Sequence, residues 1–131
     1  KFVMVYNSTI GLEASILGMP VLCGGKARFT QVPTVFFPSS RVEFYRMAEQ
    51  FLEADKVDPP GEYIENARRF LYTQVFCVSL PFADFLEEDP YWKGYVFIKK
   101  INWKQLLPEN SAAIRAVLDG ICVNTPFSIC P

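Results

Sequence analysis

YNSTIGLEASILGMPVLCGG, Tyr6 to Gly25, is bracketed by two short apolar runs, Phe2–Tyr6 (FVMVY) and Met19–Cys23 (MPVLC). Both are too apolar for exposed edges and read as buried strands, the second with Pro20 at its entry. Between them, Asn7-Ser8-Thr9 supplies helix-start chemistry, with Ser8 or Asn7 as the expected cap. Ile10, Ala14 and Leu17 then recur at i, i+4 and i+7, and Gly18 stands where a helix ends on a left-handed residue. Strand, helix, strand at this spacing is a βαβ unit, which requires a parallel pair and a right-handed crossover.

The same stretch raises a chemical question. A helix start following the carboxyl end of a parallel strand favours an anion, because its first amides lack intrahelical partners and its dipole is positive there. Ser8 and Thr9 could add hydroxyl donors to a phosphate, and Gly11 would permit a close approach. Glu13 lies one turn further, on the side of Thr9. A carboxylate there repels phosphate but accepts two hydroxyl hydrogens, which a ribose diol provides. The architectural alternative stays open: an acid near a helix start stabilises it by roughly 0.3–1 kcal/mol through the dipole alone. In the loop after the second strand, Gly24, Gly25, Lys26 and Arg28 could reach a phosphate or a sugar carboxylate, or form a solvated turn. No GxxxxGK[ST] and no GxGxxG is present.

Outward from this unit, Thr34–Phe37 (TVFF) suggests a third strand. Ser40-Arg41-Val42-Glu43 has the spacing of a capping box and opens a helix with Phe44, Met47, Ala48, Phe51 and Leu52 on its apolar face. Residues 55–61 (DKVDPPG) read as a linker between a segment 1–54 and a mainly helical arm, 62–131, packing on the same domain. In that arm, Glu62 to about Leu80 forms one long helical pattern stopped by Pro81, with Phe82–Leu86 adding a turn. Tyr95–Ile98 is strand-like. Asn110 or Ser111 caps a last helix with Ile114, Val117, Leu118 and Ile121 as its face, before an irregular tail.

Composition narrows the classes. With 131 residues, half of them apolar, one core of useful size can form. A net charge of −1, with Arg68–Arg69 and Lys99–Lys100 as isolated pairs, predicts no nucleic-acid partner. No apolar run reaches the ~18 residues of a membrane span, though residues 70–86 leave room for a helix lying on a membrane surface. Histidine is absent, which removes the commonest general base and metal ligand. Cys23, Cys77, Cys122 and Cys130 have no metal spacing and read as reduced thiols, with Cys122–Cys130 the one pair placed for a bridge. Glu87-Glu88-Asp89 reads as a solvated acidic run before a cation site. A chain opening at Lys1 inside a strand is expected to be part of something longer, and so thin a sheet to be completed by a preceding portion or a homodimer.

NSTIGLEASILGMPVLCGG resembles the donor-binding signature of GT-B glycosyltransferases, in the version found in bacterial capsule polysaccharide biosynthesis proteins. The matching positions are Ser8, Thr9, Gly11, Glu13, Ala14, Gly18, Pro20 and Val21. ARFTQVPTVFFP (27–38) and IRAVLDGI (114–121) also look like stretches of such proteins. The resemblance implies an α/β, partial Rossmann-like fold: the carboxyl-terminal, nucleotide-sugar-holding lobe of a two-lobed enzyme, with a helical C-terminal arm. It implies phosphates at the helix after Ser8, ribose hydroxyls on Glu13, metal-independent transfer with no cofactor, and a general base on the absent amino-terminal lobe. A cytoplasmic setting, at the inner face of the bacterial membrane, is expected, with peripheral membrane contact through residues 70–86 or the aromatic-rich C-terminal arm. The loop departs from the pattern, with Gly24-Gly25-Lys26-Ala27 where an aromatic residue commonly precedes the glycine. Such a piece is expected to be inactive alone. A nucleotide-sugar epimerase of the same fold and a non-catalytic interaction module are the competing readings.

Overall fold

Two units make up the computed structural model, which describes residues 1–128: Lys1–Tyr72, and a second beginning at Thr73. The structure is mixed α/β, with short strands in two small sheets and four α-helices among the described residues.

In the first unit, β1 (Val3–Val5) and β2 (Val21–Cys23) pair in parallel, Val3 opposite Val21 and Val5 opposite Cys23. Side chains alternate across a strand, so Val3, Val5, Val21 and Cys23 share one face while Met4 and Leu22 share the other. Helix α1 (Ile10–Ile16) lies on the first face, where Val5, Leu12, Ala14, Val21, Phe29 and Val35 form the core. Its end is legible in the chain: Gly18 has φ +79°, its amide donates to Ser15 O at 2.9 Å and that of Met19 to Ala14 O at 3.0 Å. This paired closure needs a left-handed residue, which glycine supplies without strain. Helix α3 (Gly61–Tyr72) adds Ala67 and Phe70 to the same core.

On the second face, α2 (Arg41–Glu53) is held by its aromatic residues. Phe51 meets Phe2 and Phe36 edge-on, at 5.3 and 4.9 Å between ring centres, and Tyr63 closes on Phe36 at 5.3 Å. Edge-to-face pairs of this kind add about 0.5–1.5 kcal/mol beyond the area they bury. Met47 and Ala48 turn inward as expected, whereas Leu52 is exposed.

The expected third strand shrinks to a single parallel bridge between Leu22 and Phe36, with Cys23 N–H donating to Phe36 O and Phe36 N–H to Val21 O, both at 2.9 Å. Pro33 and Pro38 flank this segment and withhold ladder amides at both ends.

The long helical pattern after Glu62 runs to Cys77 but changes its winding on the way. Helix α3 ends at Tyr72, and residues 73–77 follow as a wider π turn in which Val78 N–H reaches back five residues to Thr73 O. The second unit is less helical than its pattern suggested. The expected turn appears as a 3-10 turn over Ala83–Phe85, and the expected strand as β4 (Val96–Ile98). An antiparallel partner the pattern did not reveal, β3 (Leu86–Glu88), pairs with it. Helix α4 (Ala112–Cys122) is capped by Ser111, whose Oγ accepts from Ile114 N–H at 3.3 Å. Ala113 and Gly120 are buried and Ile114 and Val117 half-buried, while Leu118 and Ile121 are exposed, so only half of the expected face turns inward. The reason is close packing: Phe127 occupies the space a side chain on residue 120 would need.

Cys23 is buried, Cys77 half-buried and Cys122 exposed. The Cys122–Cys130 bridge lies outside the described residues. Among the described residues no three His, Cys, Asp or Glu side chains converge on a metal-sized space, and no helix is long and apolar enough to cross a membrane.

Candidate functional site

At the start of α1 the geometry is tighter than the sequence suggested. Thr9, not Ser8 or Asn7, takes the cap position, with helical dihedrals and no side-chain capping bond. Gly11 N–H donates to Ser8 O at 3.0 Å, Leu12 N–H to Thr9 O at 2.9 Å, and Ile10 N–H to Ser8 Oγ at 3.4 Å. These amides, which the anion reading left open, are turned back on the chain. Ser8, Thr9 and Glu13 are exposed, with the carboxylate one turn into the helix.

The glycines divide by what they touch. Gly11 is buried, and a β-carbon there would stand 2.9 Å from Val5 Cγ2 and 3.4 Å from both Val21 Cγ1 and Phe29 Cζ. The close approach it permits is that of α1 to its own sheet, not that of a ligand. Gly24 and Gly25 continue the strand pairing: their amides donate to Val5 O at 2.9 Å and Tyr6 O at 2.6 Å. The Tyr6 ring lies over Gly25, 2.9 Å from where a β-carbon would be. The loops after β1 and β2 therefore run side by side at the carboxyl ends of the parallel strands. Beneath them the Cys23 thiol donates toward Tyr6 O and Gly25 O, at 3.1 and 3.2 Å. Burial pushes this thiol above its ordinary 9.0, only partly offset by a backbone hydrogen bond from Gly25, so it stays protonated and ties the two loops together. Lys26 and Arg28 are exposed on the following turn, fixed by Thr30, whose hydroxyl accepts from Ala27 N–H at 3.1 Å.

A cleft of about 700 Å³ opens at this same strand end, between Met4, Tyr6 and Gly24 on one side and Phe37, Ser40, Arg41, Phe44 and Tyr45 on the other. That volume lies within the ~300–1,000 Å³ range of small-molecule pockets. Gly24 alone of the sequence-derived candidates lines it; Ser8, Thr9, Gly11, Glu13, Gly25, Lys26 and Arg28 do not. The sequence pattern missed Tyr6, Arg41 and Tyr45. For Arg41 and Tyr45 the only signal was an aromatic and basic cluster around the Ser40 capping box. Arg41 donates to Tyr45 Oη at 3.2 Å with its guanidinium 5.4 Å from that ring centre, which holds a cation at the cleft wall.

The start of α2 forms half of the expected box. Glu43 N–H donates to Ser40 Oγ at 3.2 Å, but the Glu43 carboxylate reaches one residue further back, accepting from Ser39 N–H and Ser39 Oγ at 2.9 and 2.8 Å. Those two bonds draw its pKa below 4.5, the backbone amide contributing most. A depressed carboxylate contributes stability above its unfolded pKa and loses it as pH falls through the folded value. The Ser39 amide shift will therefore move only on acidification below the ordinary glutamate range, and Glu43→Gln will abolish that step. Ser40→Ala will cost about 1 kcal/mol in a urea titration.

No family model, curated protein or solved structure matches the chain.

Proposed function

We propose that residues 1–72 are the donor-holding part of a GT-B-type glycosyltransferase, a partial Rossmann-like lobe that binds a nucleotide-sugar at the carboxyl ends of β1 and β2. The observation that carries this reading is the placement of the cleft. It lies outside the carboxyl ends of two parallel strands joined by a helix, with helices on both faces, where ligands bind in open α/β sheets. On this reading the ribose hydroxyls donate to the exposed Glu13 carboxylate. The phosphates cross the loops after β1 and β2 near Ser8, Thr9, Lys26 and Arg28. The sugar end enters the cleft, where flat aromatic faces and the Arg41 guanidinium suit a polar ring with an apolar side. Because the amides at the start of α1 are largely engaged, the basic side chains carry the greater share of phosphate recognition. Charge developing on a leaving diphosphate would be stabilised by such fixed donors without a metal. The acceptor site and general base belong, on this reading, to an amino-terminal lobe, and residues 1–131 alone bind without turning over.

The test is a titration with UDP, GDP and CMP followed by backbone amide shifts. The expected result is movement of Tyr6, Thr9, Gly24 and Gly25 with at least one nucleotide. Glu13→Ala should then weaken binding about tenfold or more, since hydrogen bonds to a charged group contribute roughly 1.5–3 kcal/mol. Absence of binding by all three, or an affinity indifferent to Glu13→Ala, sinks the assignment of Glu13 to ribose.

A further inference from the structure

The β3–β4 hairpin displays groups that a folded core would bury. Tyr91, Trp92, Tyr95 and Ile98 are each at least 68 % exposed, and Val96 and Phe97 are also open on their strand. This display is built. The Asp89 carboxylate accepts from Tyr91 N–H at 2.7 Å and Trp92 N–H at 2.9 Å, Asp89 N–H donates to Tyr95 O at 2.9 Å, and Gly94 takes φ +89°. Backbone bonds within the loop, and not packing of its rings, set its shape. Below it, Phe85 is buried against Phe82 and its carbonyl accepts from Lys99 N–H at 3.0 Å, which anchors the base of the hairpin.

Charge completes the pattern. From Pro90 to Pro108 the chain carries Lys93, Lys99, Lys100 and Lys104 and no acidic residue. Glu87 and Glu88 lie opposite Phe97 and Val96 on β3, the Asp89 carboxylate is occupied by the loop amides, and Lys99 Nζ donates to the backbone carbonyl of Asp84 at 3.3 Å. Trp and Tyr with Lys is the composition of a membrane–water interface, where rings sit at headgroup depth and lysine stems reach to the phosphates. Lysine is by contrast depleted in protein–protein interfaces. We propose that the hairpin docks on an anionic lipid surface, with Tyr91, Trp92 and Tyr95 entering the headgroup layer and Lys93, Lys99 and Lys100 facing its phosphates.

The experiment is co-sedimentation of the 131-residue chain with phosphatidylcholine vesicles, with and without phosphatidylglycerol. Tryptophan emission is read in parallel on a Trp103→Phe background. Binding should require phosphatidylglycerol, fall with added salt and shift Trp92 emission to the blue. Lys99→Gln and Lys100→Gln should each weaken it roughly fivefold, and Trp92→Ser should weaken it further. The double substitution Glu87→Gln, Glu88→Gln should strengthen it. These positions are exposed, so unchanged circular dichroism will confirm that each variant is folded. Three results overturn the proposal: no pelleting with anionic vesicles, pelleting indifferent to Lys99, Lys100 and Trp92, or a dimer that Trp92→Ser dissociates, which would assign the surface to a second copy.

Discussion

Gly11→Ala destabilises the first unit by about 1 kcal/mol and Gly11→Val by about 3 kcal/mol, read as a lower urea midpoint with unchanged slope. Two terms oppose each other. Alanine is favoured over glycine in a helix by about 0.8–1.0 kcal/mol, which alone would make the first change stabilising. Against this, the new β-carbon would stand 2.9 Å from Val5 Cγ2, a distance that requires a neighbour to move. Val5 is a short, stiff side chain on a strand paired to β2, so it cannot swing aside as a lysine end would. Overpacking of this kind costs about 1–3 kcal/mol and outweighs the propensity gain. Valine adds two further methyl groups toward Val21 and Phe29, both already within 3.4 Å of the β-carbon position. Combining Gly11→Ala with Val5→Ala should cost less than the two single changes summed, because one removes the clash the other creates. An alanine variant at least as stable as the parent would refute this packing account and return Gly11 to the surface role its sequence allowed.

What the sequence disclosed was decided by local chemistry. Val3–Val5, Val21–Cys23, the glycine closing α1, and the Ser40 and Ser111 caps all depend on residues within a few positions of one another. The features that escaped depend on distant neighbours. Thr34–Phe37 has strand-forming residues, yet its ladder is limited by prolines at both ends and by the one register that Leu22 offers. Helix α4 buries Ala113 and Gly120 beside half-buried Ile114 and Val117 and leaves Leu118 and Ile121 exposed, with a ring from residue 127 settled where only a small residue leaves room. Hydrophobic periodicity ranks residues by size and polarity, so it cannot register a contact that rewards smallness. Gly11 was ambiguous for the same reason: a missing side chain admits a ligand and a strand equally well. The cleft was hidden differently, since Met4, Gly24, and the pair Arg41 and Tyr45 come from three segments that only the fold brings together. In the second unit, Leu86–Glu88 became a strand despite its charges because β4 offered it a partner.

Thr34→Val costs the first unit about 1–3 kcal/mol although it removes one hydroxyl and leaves the side-chain volume nearly unchanged. Thr34 is fully buried, and its Oγ1 donates to Phe29 O at 2.7 Å. Ser15 on α1, also buried, donates to Thr34 O at 2.5 Å. The two bonds form a relay from α1 through residue 34 to residue 29, and they do for this segment what a longer ladder does for β1 and β2. Without the threonine hydroxyl the Phe29 carbonyl loses a buried donor, and no apolar contact replaces it. Ser15→Ala strips the Thr34 carbonyl in the same way and carries a similar cost. Thr34→Ser keeps the donor and loses one methyl, so it should sit within about 1 kcal/mol of the parent. That contrast separates hydrogen bonding from packing. The double variant Ser15→Ala, Thr34→Val should fall short of the summed losses by at least about 0.5 kcal/mol, because both bonds pass through one residue. Amide exchange at Cys23 and Phe36 should quicken in each single variant, since the bridge between them rests on the position of residue 34. A valine variant as stable as the parent, or a serine variant as damaged as the valine one, would show that the relay does not hold this edge of the sheet.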